Sequence, residues 1–559
     1  MKIKIGEFIV QQLRALNIRH VFGLPGDYNL NLLELLEKDN RMAFIGNCNE
    51  LNASYAADGY ARLNGSSALI VTYGVGDLAA LSGIAGAYAE SIPVICIAGT
   101  PPLHAMKNRK LMHHTLADGN FDNVMTCFKQ FTVAQVLITP ENAAEEIPRT
   151  ISRAWIEKKP VYLQLPSDLC TVEIDIADEA SPPELPRSDK YALKLAVMAL
   201  ISRIKHSHSP IILVDQMVDR YQLQELIIDM AHHFAIPLAS MATAKCIIPE
   251  GTVGWVGNYS GNLSQPDLYE RIASSDCILC FGVRLTDVST AYFTQKIHAG
   301  SVIDIQPFSV NIDDTYYPAV VVAELLQELI AASKYSPIKQ LPTSPCSKSE
   351  LSMSGCEPIS QDYFWKRIQS FIEAGDVLVV ENGTSSSAIG AMRMPDEVKL
   401  VSQPIWGAIG YTLPALLGSL MASPERRHLL FIGDGSFQIT VQEISTLLRY
   451  KKKPIIFLIN NDGYTIERYI LGESSSYNEI SSWDYAKLPT VMHTNARPFC
   501  AVVETTQELE TALWQALQLD RLVFIEVKVP MMDANPGMKE FCERCNNFNF
   551  GLTNPRRRI

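Results

Sequence analysis

The segment Gly433-Asp434-Gly435-Ser436 is followed, after the 24 residues 436 to 459, by Asn460-Asn461-Asp462-Gly463. A β-strand, its crossover helix and the next parallel strand occupy about 30 residues. This spacing therefore predicts that Asp434 and Asn461 stand at the carboxyl ends of two parallel strands, the edge where open α/β sheets bind ligands. A carboxylate, an amide oxygen and nearby backbone carbonyls are the hard oxygen donors that Mg²⁺ takes alongside phosphate oxygens. Gly433 and Gly435 let backbone N–H groups approach a phosphate, and a helix starting near Ser436 turns its positive end towards it. Gly-Asp-Gly alone is an ordinary turn. The apolar run 428–432 before it and the Asn pair at the next strand end make it a phosphate and metal site.

Other residue types could move protons. Glu50 opens an Ala-rich helix and, taken alone, is a first-turn acid complementing the helix dipole. His113 and His114 are adjacent, a poor arrangement for one metal because neighbouring side chains diverge by about 100° on a helix or 180° on a strand. They can instead exchange protons near neutral pH. A second pair, His232-His233, reads as plain helix surface. Asp27 in Gly26-Asp27-Tyr28-Asn29 is a turn residue by type, and Glu467 a helix-start acid. The 12 cysteines are too sparse for a disulfide scaffold. Cys277 and Cys280 fall on a predicted strand and face opposite ways. Cys542 and Cys545 could share a helix face, but no second ligand pair follows at zinc-site spacing.

Together these residues resemble the thiamin diphosphate (ThDP) enzymes, whose cofactor motif is Gly-Asp-Gly followed, one crossover later, by Asn-Asn. Within them the sequence is most similar to the pyruvate decarboxylase and 2-oxo acid decarboxylase group. The resemblance implies that Asp434, Asn461 and the Gly463 carbonyl hold Mg²⁺, with Gly433, Gly435 and Ser436 about the diphosphate. It implies that Glu50 hydrogen-bonds N1′ of the aminopyrimidine and promotes the imino tautomer that deprotonates thiazolium C2. Trp406-Gly407-Ala408-Ile409-Gly410 is similar to the segment that bends the cofactor, with Ile409 between the rings and the Gly407 carbonyl accepting from the 4′-amino group. Asp27, His113, His114 and Glu467 become a proton-transfer set, and Thr72 and Thr384 help shape the pocket. The implied activity is non-oxidative decarboxylation of a 2-oxo acid to an aldehyde and CO₂. Alternatives within the resemblance are a pyruvate-restricted enzyme and an acetolactate synthase-like carboligase.

Two departures from the pattern bear on substrate and control. Ser385, Ser386 and Ser387 stand where relatives often place aromatics, and Val288 where some carry Tyr. The expectation is a preference for 2-oxo acids larger than pyruvate, whether branched, linear or aromatic. The stretch 215–219 lacks the cysteine through which some members are activated by substrate. The resemblance also implies a homodimer or homotetramer, with Glu50 of one chain reaching ThDP held by Asp434 of another.

Positioning such residues takes a large scaffold. At roughly 100 to 200 residues per domain, 559 residues suggest about three domains. Stretches rich in Pro, Ser and charge at 177–189 and 335–358 divide the chain into pieces over 1–180, 190–340 and 355–559, which the resemblance implies are a pyrimidine-binding domain, a middle domain and a diphosphate- and Mg²⁺-binding domain. Short apolar runs alternate with helical patterns in each piece, which predicts an α/β fold of three doubly wound parallel sheets. Lys plus Arg (48) less Asp plus Glu (60) gives −12, unsuited to a nucleic-acid surface. The one basic run, 556–558, reads as a solvated tail. No apolar stretch reaches the roughly 18 residues of a membrane span, and Gln11, Gln12 and Arg14 stand where a signal peptide is apolar. A cytoplasmic protein acting on a small molecule is expected.

Overall fold

The computed structural model describes residues 1–177, 179–332 and 356–551. The second expected linker falls mostly outside the described residues, and the basic run 556–558 wholly so. In the first domain six parallel strands run in the spatial order Ala43–Gly46, His20–Gly23, Ser67–Thr72, Val94–Thr100, Val161–Pro166 and Gln135–Leu137. The third domain repeats the plan with Lys399–Val401, Val377–Val380, His428–Gly433, Ile455–Asn460, Val523–Lys528 and Phe499–Val503. Its central strands read as unbroken apolar runs because helices cover both faces. Leu429 to Ile432 and Ile456 to Leu458 have no solvent exposure.

The middle sheet is doubly wound but not wholly parallel. Trp255–Tyr259, Leu238–Met241, Pro210–Val214, Cys277–Phe281 and Val302–Gln306 are parallel neighbours, and Ser309–Ile312 and Thr315–Pro318 then add antiparallel strands at one edge. The links are too short for a crossover, which forces hairpins. In the last of them Asp313 (φ 46°) and Asp314 (φ 65°) both turn left-handed, as a tight two-residue hairpin loop requires. Cys277 and Cys280 lie in separate hydrophobic clusters on the two faces of this sheet. Cys542 and Cys545 are buried on the C-terminal helix Pro536–Phe550.

The first and third domains share one hydrophobic core, which includes Phe22, Tyr60 and Ile84 from one side and Val377, Leu430 and Phe524 from the other. Helices Glu50–Asn64 and Thr412–Ala422 cross at its centre in backbone contact. A Cβ on Gly59 would lie 2.2 Å from the Ala415 carbonyl oxygen, and one on Gly418 1.9 Å from that of Ala56. Only glycine fits at either place. The Glu50 helix is thereby fixed to the domain that carries Asp434.

Candidate active site

Asp434 follows the strand His428–Gly433 and opens the helix Asp434–Thr440, while Asn461 directly follows the strand Ile455–Asn460, its neighbour in the sheet. Asp434 Oδ1 accepts from the Gly435 N–H (2.8 Å) and Oδ2 from the Gly463 N–H (3.0 Å). Burial raises the Asp434 carboxyl to about 6, with these N–H donors opposing the rise. Asn460, by contrast, is structural: its amide donates to Glu526 (2.8 Å).

The orientation of the Asn461 amide decides what the site can hold. One terminal atom lies 3.0 Å from the Gly463 carbonyl oxygen and 3.2 Å from Asp434 Oδ1, and the other lies 2.8 Å from Thr465 Oγ1. Thr465 has a single hydroxyl proton, and that proton is donated to the Met531 carbonyl (2.7 Å). Its oxygen is left as an acceptor, so the Asn461 NH₂ belongs against Thr465 and the amide oxygen against Asp434 and Gly463. Three oxygens then converge. Octahedral ligands at about 2.1 Å from Mg²⁺ lie about 3 Å from one another, so the spacing fits such an ion and is repulsive without a cation.

Beside this cradle the backbone lies open. A Cβ on Gly383, Gly407 or Gly433 would meet nothing within 4 Å, whereas one on Gly435 would strike the Tyr464 ring at 2.5 Å. Ser436 and Thr384 are buried at the starts of their helices. The loop carrying Gly407 and Ile409 is held from behind. Glu90 accepts from the N–H groups of Ile405 (2.7 Å) and Trp406 (3.0 Å), Gln403 from those of Gly407 and Ala408, and Glu381 from Gly410 N–H (3.1 Å) and Thr412 Oγ1 (2.7 Å). Burial raises the Glu381 carboxyl to about 7. The side chains of Trp406 and Ile409 remain exposed.

The remaining expected residues other than Glu467 gather at the carboxyl edge of the first sheet. Asp27 stands in a turn closed by Asn29, which accepts from Gly26 N–H (3.0 Å) and donates to the Leu24 carbonyl (2.9 Å). His113 Nε2 lies 2.8 Å from Asp27 Oδ2, and His114 Nε2 3.9 Å from Oδ1. His114 adopts φ 59°, and this left-handed turn undoes the divergence expected of adjacent side chains, bringing the two rings to 4.6 Å. Gly74 (φ 70°) makes room for the turn, since a Cβ there would lie 1.8 Å from the His114 carbonyl oxygen. Tyr28 stacks on His113 and its hydroxyl lies 3.1 Å from Nδ1. Burial pushes the Tyr28 hydroxyl up to about 12.

Glu50 is the first residue of its helix, half-buried, with Oε1 3.2 Å from the Cβ position of Gly76. Thr72 ends the strand beneath it, and its Oγ1 is buried without a hydrogen-bond partner. Glu467 is exposed on the helix Thr465–Ile470, in the third domain. Among the described residues Asp27, His113 and His114 are the one trio of His, Cys, Asp or Glu side chains whose ligand atoms lie within 4.8 Å of one another, and Glu467 is not part of it. Sequence reasoning missed Tyr28, Glu381 and Thr465. Tyr28 adjoins Asp27, and Glu381 is a charge placed directly after an apolar strand, but Thr465 gives no signal because its partner lies 66 residues away.

Comparison with known proteins identifies the three domains. Models of the thiamine pyrophosphate enzyme N-terminal, central and C-terminal domains match residues 3–124, 197–332 and 382–527. The three domains are those of a thiamine pyrophosphate enzyme. The alpha-keto-acid decarboxylase of Mycolicibacterium paratuberculosis is 34% identical over 532 residues, covering 95% of this chain and 94% of that protein. Pyruvate decarboxylase isozyme 2 of Saccharomyces cerevisiae is 36% identical over 553 residues, covering 95% and 96%. The ThDP-dependent 4-hydroxybenzoylformate decarboxylase of Rhodococcus jostii superposes with a TM-score of 0.75 at 20% identity, covering 95% of this chain and all of that one. The chain belongs to the thiamin diphosphate-dependent 2-oxo acid decarboxylase family.

Proposed function

We propose that Mg²⁺, held by Asp434, Asn461 and the Gly463 carbonyl, anchors the diphosphate of ThDP against Gly433, Gly435 and Ser436, and that two chains share each site. The convergence of three oxygens at the Asn461 amide carries this reading, supported by the open backbone at Gly383, Gly407 and Gly433 and by the unpartnered Thr72 hydroxyl. When bound, ThDP supplies the nucleophilic carbon and the electron sink that decarboxylation of a 2-oxo acid needs. The protein's own groups position the cofactor and move protons. Glu50 holds a proton at the pyrimidine, and Ile409, exposed in the single chain, supports the bent cofactor. Asp27, His113 and His114 exchange protons at the product end, and Glu467 approaches from the diphosphate side.

Sharing between chains is supported by the separation of Glu467 from the Asp27 cluster and by exposed apolar side chains on both half-sites: Val75, Leu78, Leu111 and Leu116 on one, Trp406 and Ile409 on the other. Hybrid dimers purified through two tags, one chain carrying Glu50→Gln and the other Asp434→Asn, test it. A shared site leaves one of two sites intact and restores about half the activity. Hybrids as inactive as their parents overturn the sharing.

We further propose a substrate larger than pyruvate. Ser386 bonds back to Gly383 and Ser385 is buried, so Ser387 is the serine turned towards the C-terminal helix, its hydroxyl donating to Asn535 Oδ1 (3.0 Å). Each methylene accommodated contributes about 0.8 kcal/mol, close to fourfold in kcat/KM. A series from pyruvate to C5–C9 branched, linear and aromatic 2-oxo acids should show kcat/KM rising with size. A maximum at pyruvate refutes the preference.

A further inference from the structure

Glu443 has no solvent exposure, although it opens a helix, Glu443–Arg449, shortly after the one that carries Asp434. Both of its carboxylate oxygens are turned across the domain junction. Oε1 accepts from Asn47 Nδ2 at 2.8 Å and Oε2 from Asn52 Nδ2 at 2.8 Å. These two asparagines bracket Glu50. Asn47 Oδ1 also accepts from the Gly23 N–H (3.4 Å), at the end of the strand that leads to Asp27, and Asn52 donates its N–H to the capping Asn49 (2.8 Å). Between them, Cys48 Sγ donates to the Gln442 carbonyl (3.3 Å). No Lys, Arg or His pairs with Glu443 among the described residues. Burial raises its carboxyl, and the hydrogen bonds from Asn52 and Asn47 are the main opposing influences. A buried carboxylate without a counter-ion is a costly way to join two domains, and apolar side chains would do so at less cost. What it adds is two directed bonds, one on each side of Glu50.

We propose that Glu443 is the positioning residue for Glu50: it clamps the entry and first turn of the Glu50 helix, and so fixes where the Glu50 carboxylate points. The proposal rests on the reading that Glu50 exchanges a proton with the cofactor's pyrimidine. Glu443 itself touches neither cofactor nor substrate. Glu443→Ala removes both bonds. Glu443→Gln keeps one acceptor, and its NH₂ can turn to Asn52 Oδ1, which is buried without a partner.

The test is a double-mutant cycle read in the holoenzyme without substrate, as the rate at which the C2 proton of bound ThDP exchanges with deuterium. Glu443→Ala should slow this exchange roughly 10- to 100-fold, the scale of a misplaced reacting group. Glu443→Gln should restore most of it, and Glu443→Ala should add nothing in a Glu50→Gln background. In the cofactor-free protein, amide hydrogen exchange should quicken at 47–53 and stay unchanged at 210–214. Should Glu443→Ala not fold, Asn47→Ala removes one bond and should act in the same direction more weakly. Equal slowing in both backgrounds, or no slowing with unchanged amide exchange, overturns the positioning role. If Glu50→Gln alone leaves C2 exchange at the wild-type rate, the reading of Glu50 has failed rather than the clamp.

Discussion

Replacing Thr465 with valine keeps shape and branching but deletes one hydroxyl 2.7 Å from the Met531 carbonyl and 2.8 Å from the Asn461 amide. The Asn461 NH₂ loses its acceptor, and nothing then holds the amide oxygen towards Asp434 and Gly463. With the amide free to turn, its nitrogen can donate to the Gly463 carbonyl and Asp434 Oδ1, which satisfies the apo site and opposes the cation. A buried polar group left unpaired costs about 1–3 kcal/mol, and loss of a partner that orients a metal ligand typically costs 10- to 100-fold in affinity. The two figures agree, so Thr465→Val should raise the Mg²⁺ concentration for half-maximal activity about 10- to 100-fold at saturating ThDP. The decisive assay titrates Mg²⁺ into metal-free enzyme and follows aldehyde release well below the unfolding temperature, with kcat at saturating Mg²⁺ nearly recovered. An unchanged Mg²⁺ requirement would mean that Thr465 does not set the amide, and the assignment of the Asn461 oxygen as a ligand would fall with it.

Ile409→Ala should lower the affinity for ThDP and kcat/KM by about tenfold or more, since some three carbons of support are lost. Because Ile409 is exposed in the single chain, the unfolding temperature of cofactor-free protein should barely move, and a large drop would make it an ordinary core residue. Glu381 gives a pH signature. Its folded carboxyl is raised from 4.5 to about 7, so between those values the native state binds more protons than the unfolded chain and stability falls as pH rises through that window. Glu381→Gln cannot titrate there, so its unfolding temperature relative to wild type should climb between pH 5 and 7, and parallel curves would refute the assignment.

The sequence made the diphosphate end legible because strand, helix and strand have nearly fixed lengths, so residue spacing alone sets Asp434 beside Asn461. Binary pattern revealed the three sheets for the same reason. The antiparallel edge of the middle sheet was less visible, although the two-residue link Asp313-Asp314 excludes a crossover once the flanking strands are recognised. The resemblance joined His113 and His114, but how adjacent side chains could converge was hidden by an assumption of regular backbone: one left-handed residue reverses which way a ring faces, and no side-chain pattern announces it. Clamping residues were hidden by distance. Glu443 lies 396 and 391 residues from Asn47 and Asn52, and Glu90 is 315 from the Ile405 N–H it accepts from, so only the folded chain joins them.

The central claim is that this chain decarboxylates 2-oxo acids with ThDP set by Mg²⁺ and activated by Glu50. Aldehyde release from a panel of 2-oxo acids, with and without ThDP and Mg²⁺ and repeated with Glu50→Gln, tests it most directly. Release should require both additions, and Glu50→Gln should lower kcat by about 10²-fold or more, the usual contribution of a positioned proton-transfer group. Aldehyde formed equally without cofactor, or full activity in Glu50→Gln, would contradict the account.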